Sequence, residues 1–403
     1  MNKEQYDNVI AFDQYKKALS TPERTIIKTI SETVVSHPMI QEAFDGICRA
    51  VSENEVISDR SHLLIIGESG CGKSTLCDLF ARKFRPVTQE FQLGLQLNQV
   101  ALMTSLSSPL TPRFMAKTIL RALGYKGSLN GTSDTLTDLV LTMLKQAGIQ
   151  VIFLDETQHL QALGMNANGY SHKLRESLDW IKSLINKTEV TFVLMGMPPL
   201  VELIEADEQM ARRFSKIYYL KPFPVPTQTE EAGESSANVL GGFVDTLLNT
   251  ACQLDYFDEY ESFGNNPDNA ARIYLATAGT PARINSLVIA AARQAYDAGD
   301  RRITLGHFAK AYQPEKIVRT EISRVMESNT HLARTMSRLV EGKALNPFEL
   351  DSADLLTLSQ GEVNRCQPWR AKRRLVDPSS REAALFSRRA LRQRENKVGL
   401  RTR

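Results

Sequence analysis

Gly67-Glu68-Ser69-Gly70-Cys71-Gly72-Lys73-Ser74 decides the reading of this chain. It fits G-x-x-x-x-G-K-[ST], the phosphate-binding P-loop. His62 to Ile66 (HLLII) reads as a buried strand before it, and Thr75 to Phe84 (TLCDLFARKF) as a helix after it. That strand–loop–helix order is the context the motif requires. Glycines let backbone N–H groups turn inward around phosphate oxygens, and the helix N-terminus adds partial positive charge. Gly67 to Ser74, with Thr75, are therefore the expected phosphate-binding residues. Lys73 should reach the β- and γ-phosphates, and the Ser74 hydroxyl should sit on Mg²⁺.

A second stretch agrees with the first. Val151-Ile152-Phe153-Leu154-Asp155-Glu156 is an apolar run closed by two carboxylates. Four apolar residues in a row suit a central parallel strand buried on both faces. Ligands of open α/β sheets bind at the C-terminal ends of such strands, where Asp155 and Glu156 fall. Asp155 is expected to hold Mg²⁺ through water, and Glu156 to polarise an attacking water.

Composition narrows the class. The chain has 403 residues, 42% hydrophobic and 24% charged, which is ordinary for a soluble globular protein of two or three domains. It has no apolar run of membrane-spanning length, so no membrane contact is expected. The polar opening MNKEQYDNVIAFDQYKK lacks a signal-peptide core. Cys48, Cys71, Cys77, Cys252 and Cys366 are scattered without a C-x-x-C pair, which fits a reducing cytosol and argues against structural zinc. Charge is uneven. Gln360 to Arg403 carries 13 Lys/Arg against 4 Asp/Glu, a net +9 that leaves the rest of the chain at −6 of the total +3. A basic tail on an acidic body points to an anionic partner.

Along the chain, strands alternate with helices. Residues 1–60 read as a helical segment, with Ile26, Ile27, Ile30, Val34 and Val35 at helical spacing. Asn98 to Ser105 reads as a second strand. Arg113 to Leu123, Leu136 to Ala147 and Leu174 to Ile185 read as helices, and Glu189 to Met195 as a buried strand. The pattern predicts an α/β parallel sheet over residues 61–225. PFPVP and the polar run to Ser236 form a linker. Residues 238–312 then read as helices only, at Thr246 to Leu254, Ala270 to Ala278, Pro281 to Ala298 and Leu305 to Tyr312. Residues 313–403 read as one more helix, to about Glu341, followed by the basic tail.

A P-loop, an Asp-Glu strand end and a helical lid together resemble the AAA+ ATPases. DETQHL (Asp155 to Leu160) and DEQMARRF (Asp207 to Phe214) resemble segments of the TniB/TnsC group of transposition ATPases, in the same order along residues 35–312. Gly279-Thr280-Pro281-Ala282-Arg283 resembles the lid motif whose arginine contacts the γ-phosphate. The resemblance implies ATP with Mg²⁺, hydrolysis of ATP, and sites shared between subunits of a ring or filament. It implies Arg213, or else Arg212, as a finger reaching a neighbour's nucleotide, and Arg283 as the arginine acting within the subunit. It further implies assembly on duplex DNA, recruitment of a transposase, contact with a target-selection protein, and disassembly on hydrolysis. Arg113, Lys117, Arg121, Lys126 and Lys173 are the candidate phosphate contacts to DNA.

One departure bears on rate. AAA+ proteins carry a polar sensor residue at the end of the strand after the Asp-Glu pair. Met195-Gly196-Met197 stands there, and Thr191 lies too early in the strand. Slow hydrolysis is expected. Two other readings stay open at this stage: an initiator-like ATPase of replication, and an ATP-gated scaffold with little hydrolysis. The tail, with Arg370, Lys372, Arg373, Arg374, Arg388, Arg389, Arg392 and Arg394, suits a protein partner or DNA equally.

Overall fold

The computed structural model describes residues 19–84, 87–91, 94–98, 100–106, 110–166, 169–224, 236–312 and 346–349. The chain forms two compact units, Met1–Leu350 and Asp351–Arg403, and every described residue belongs to the first. The helix expected to end near Glu341 and the basic tail lie outside the described residues.

A five-stranded parallel sheet organises the first unit. Its strands are β1 (Leu63–Gly67), β4 (Ala101–Ser105), β5 (Val151–Asp155), β8 (Thr191–Gly196) and β9 (Lys216–Leu220), in the order β4-β5-β8-β1-β9. The three central strands β5, β8 and β1 are buried along both faces, apart from Asp155 at its end, which explains their unbroken apolar runs. Alternate residues part to opposite sides. Leu64, Ile66, Ile152, Leu154, Phe192 and Leu194 join one core, packed with helices α4 (Pro112–Ala122), α5 (Ser133–Gln146), α6 (His172–Lys187) and α7 (Pro199–Glu205). Leu63, Ile65, Val151, Phe153, Val193 and Met195 join the other, packed with α2 (Pro38–Asn54) and α3 (Lys73–Lys83).

Two hairpins escape the sequence reading. β2 (Val87–Phe91) pairs antiparallel with β3 (Gly94–Asn98), and β6 (Met165–Asn166) with β7 (Gly169–Tyr170). The strand expected over Asn98 to Ser105 thus divides into the last residue of β3 and the whole of β4. After the sheet come helices α8 (Glu208–Arg213), α9 (Ser236–Cys252), α10 (Pro267–Thr277), α11 (Pro281–Ala298) and α12 (Leu305–Ala311), with a small parallel pair β10 (Glu259–Tyr260) and β11 (Arg302–Ile303). The first described helix, α1 (Thr21–Glu32), packs against α11 and α9 rather than against the sheet. It starts with a capping box in which Ser20 N–H donates to Glu23 Oε2 at 2.8 Å and Glu23 N–H donates to Ser20 Oγ at 3.3 Å. Glu23 also accepts from Arg293 of α11 at 2.9 Å. These bonds, Ser20's first, hold the Glu23 carboxyl down at about 2. Among the described residues no helix is long and apolar enough to cross a membrane.

Candidate nucleotide site

The P-loop leaves β1 and turns into α3. Gly70 and Gly72 adopt left-handed backbone (φ +80° and +95°), which glycine tolerates without strain. Gly72 also precedes the first turn of α3, and its carbonyl accepts from Leu76 N–H at 2.9 Å. The Lys73 ammonium folds back into the loop. It donates to the carbonyl oxygens of Gly67 at 2.7 Å and Glu68 at 3.1 Å. These bonds satisfy a buried ammonium with backbone oxygens.

The loop lines one wall of a cleft of about 400 Å³, within the range of small-molecule sites. Ser69, Ser74 and Thr75 line it beside Lys73. Asp155, Glu156, Gln158 and Met197 line it as well. Val34, Val35 and Phe243 add apolar lining beside His37, and Pro281, Ala282 and Asn285 line it from α11. The lid is joined to the loop directly, since Ala282 N–H donates to the Gly70 carbonyl at 3.1 Å.

The two carboxylates differ sharply. Asp155 ends β5 half-buried, and its Oδ1 accepts from the Glu156 N–H at 2.8 Å. Burial raises its affinity for a proton, and the Glu156 charge adds to this; the Glu156 N–H and Lys73 oppose it. A cation in the cleft would reverse that balance. Glu156 has φ +58°, one of two left-handed non-glycine residues among those described. Such a conformation costs roughly 1–3 kcal/mol and persists only where the surroundings impose it. Here they do. Thr157 Oγ1 lies 3.0 Å from the Leu154 carbonyl and 2.5 Å from the Met195 carbonyl, locking the turn onto β8. Gln158 Nε2 donates to Glu156 Oε2 at 2.5 Å, and His159 Nε2 stands 3.5 Å from the same oxygen.

The remaining expected residues fall in three places. Arg283 lies half-buried in the first turn of α11, close enough for its charge to act on the Cys71 thiol, but does not line the cleft. Arg212 and Arg213 end α8 at the far edge of the sheet. The Arg213 carbonyl accepts from His62 N–H at 2.8 Å, just before β1 starts, whereas the P-loop follows its other end. Five strand residues separate the two points, about 16 Å at 3.3 Å per residue. Arg212 pairs with Asp59 at 2.7 Å, and both side chains are exposed. Arg213 has a neutral partner, the Asn186 Oδ1 at 2.6 Å.

Arg113, Lys117 and Arg121 recur every four residues and share one stripe of α4. Arg113, Arg121, Lys126 and Lys173 are exposed and Lys117 half-exposed. Ser177 Oγ lies 2.6 Å from the Leu110 carbonyl and 2.9 Å from the Lys173 carbonyl. That contact brings the start of α6 beside the segment entering α4, so the five residues lie on neighbouring elements.

Buried Cys71 is pushed up to about 11 and Cys77 higher still, both by burial first. The two thiols stay protonated and are packing groups. Sequence reasoning did not find the tie between Gln158 and Glu156, the place of Asn285 in the cleft wall, or His37. The His37 ring is buried with neither nitrogen hydrogen-bonded, facing Phe223 and Phe243 at 5.1 and 6.2 Å.

A parallel sheet that sets a P-loop beside a β5 end carrying Asp-Glu, with a helical lid on the loop, is the AAA+ arrangement of the P-loop fold. Residues 26–222 match the family model described as Bacterial TniB protein. The nickel import system ATP-binding protein NikE of Staphylococcus aureus is 39% identical over 92 residues, which is 22% of this chain and 37% of that protein. Among solved structures, the Aeropyrum pernix ORC2 protein in its ADPNP–ADP complexes is 13% identical with a TM-score of 0.49, covering 83% of this chain and 88% of that one. The Thermotoga maritima RuvB Holliday junction branch migration motor is 15% identical with a TM-score of 0.37, covering 69% and 68%.

Proposed function

We propose that this protein is an ATP-dependent, DNA-binding regulator of transposition. It assembles on target duplex DNA when ATP is bound, recruits a transposase together with a target-selection protein, and leaves the DNA after hydrolysis. The match of residues 26–222 to the TniB family model supports the biological setting. One observation carries the mechanism. The cleft gathers Lys73, Ser74, Asp155 and Glu156, while Arg212 and Arg213 stand across the sheet from it. A finger arginine placed there serves only the site of a second copy, so the active site is complete only in an oligomer.

ATP is expected with its phosphates against the loop N–H groups of Gly67 to Ser74 and on Lys73, which also neutralises them. Its base would take the apolar lining formed by Val34, Val35 and Phe243. The residues suit Mg²⁺. Ser74 and Asp155 offer one hydroxyl and one carboxylate in the same cleft, leaving room for the waters and phosphate oxygens this ion prefers. When bound, Mg²⁺ would be held by Ser74 and Asp155 and would offset the negative charge of the phosphates. Glu156 orients and polarises the attacking water. Arg213 of the neighbouring copy stabilises charge on the leaving phosphates, with Arg212 as the alternative, and Arg283 acts from the lid. DNA contact falls to the stripe Arg113, Lys117 and Arg121 with Lys126 and Lys173. These contacts neutralise phosphates and carry little base specificity.

ATP turnover by the wild type against Glu156→Gln and Lys73→Ala, with and without duplex DNA, tests this reading. Lys73→Ala should lose nucleotide binding. Glu156→Gln should bind and assemble yet turn over at least about 100-fold more slowly. Equal turnover by wild type and Glu156→Gln would remove the ATPase reading.

A further inference from the structure

The strand end where AAA+ proteins present a polar sensor holds Gly196. Its neighbours explain why. The register Ile66↔Gly196 sets it beside the exit of β1 into the P-loop, and Leu154↔Leu194 sets it level with Glu156 on the other side. It is therefore the β8 position between the P-loop and Glu156. A Cβ at this glycine would lie 2.7 Å from Gln158 Oε1, 3.2 Å from Gln158 N and 3.0 Å from Leu200 Cδ2. No side chain fits at position 196 while Gln158 is in place.

The Gln158 amide is held at both ends. Its Oε1 accepts from the Met197 N–H at 3.2 Å, and its Nε2 donates to Glu156 Oε2 at 2.5 Å. The Met197 N–H can only donate, so the oxygen must face the strand and the NH₂ must face the carboxylate. One Nε2 hydrogen and the second Glu156 oxygen remain for a water in the cleft, which Gln158, Glu156 and Met197 all line.

We propose that Gln158 is the positioning residue for hydrolysis, reaching from the turn after β5 into the space that a β8 side chain would otherwise fill. It fixes the Glu156 carboxylate against the β8 end and supplies the polar amide that Gly196 lacks. This rests on the ATPase reading above, and it replaces the expectation of an unfilled sensor position. The loss of a β8 side chain and the gain of Gln158 are then two halves of one arrangement.

The test is a set of turnover and nucleotide-affinity measurements on the wild type, Glu156→Gln, Gln158→Ala, Gly196→Asn and the double variant Gln158→Ala/Gly196→Asn. Gln158→Ala should lower kcat at least about tenfold while nucleotide affinity stays within about twofold, the signature of a group that acts in the transition state. Gly196→Asn should also lower kcat, because its side chain collides with Gln158. The double variant should turn over faster than either single one, since a β8 amide can enter the space Gln158 vacates. A merely structural role for Gln158 would give no such rescue. Wild-type turnover that Gln158→Ala leaves equal or raises would overturn the proposal, as would a double variant no faster than the singles. If the wild type turns over no faster than Glu156→Gln, the ATPase reading fails, and this proposal with it.

Discussion

At the scale of single residues, Glu156 shows how the site is set. Its left-handed backbone is held by bonds from Thr157 and Gln158 that close across β5 and β8. The P-loop, Asp155 and Glu156 were legible in the sequence because each is a short pattern with its own flanking signals. Gln158 was not, because its function depends on β8 lying next to β5, which no local pattern states. His37 escaped for the same reason. Its two aromatic neighbours come from Phe223 and Phe243, far along the chain. Buried His37 and His62 both have pKa values pushed down to about 4, by burial first and, for His62, by Arg213 and Arg60 as well. A histidine in the unfolded chain keeps its ordinary value of about 6.5, so the unfolded state binds more protons between these limits. Their stabilising contribution is complete above about pH 6.5 and is lost as pH falls toward about 4. Thermal unfolding of the nucleotide-free protein should move to lower temperature across that window. His37→Phe should flatten the dependence, and an unchanged slope would show that the acid sensitivity lies elsewhere.

At the scale of elements, the alternating strands and helices were legible because periods of 2 and 3.6 residues reflect burial on sheets and helix faces. The α11 boundaries were read from the sequence as the structure has them. The β2–β3 hairpin was missed, and so was the attachment of α1 to α11 and α9, which is a matter of tertiary packing. The joint between sheet and lid gives a prediction of its own. Phe223 N–H donates to the Gly279 carbonyl at 2.8 Å, and a Cβ on Gly279 would lie 2.3 Å from the Phe223 carbonyl oxygen. Gly299, after α11, has a similar φ (+74° against +68°) but open space around it. Gly299→Ala should therefore cost only the backbone strain of about 1–2 kcal/mol. Gly279→Ala carries that strain plus a collision with main chain. Denaturant unfolding should rank Gly279→Ala well below Gly299→Ala, and equal losses would contradict the rigid joint.

At the scale of the whole molecule, the decisive fact is the distance from Arg213 to its own cleft, set by the length of β1. If Arg213 acts in a neighbour, Arg213→Ala should lower kcat by about 10³-fold or more with nucleotide binding kept. Mixing it with Glu156→Gln should restore part of the activity, because some junctions then combine an intact finger with an intact Glu156. Failure of the mixture to exceed the single variants would argue against a shared site. The partners proposed for the whole protein rest on the resemblance to the TniB/TnsC group alone, since basic residues on α4 and α6 look alike on any polar surface. Charge reversal of Arg113, Lys117 and Arg121 should weaken DNA binding and flatten its salt dependence, if these residues release counterions from the phosphates. The most direct test of the account is duplex-DNA binding at fixed salt with ATP, a non-hydrolysable analogue, ADP and no nucleotide, with Lys73→Ala as control and electron micrographs of the same samples. The account predicts binding and visible oligomers in the two ATP-like states only. Absence of DNA binding in every state would contradict it.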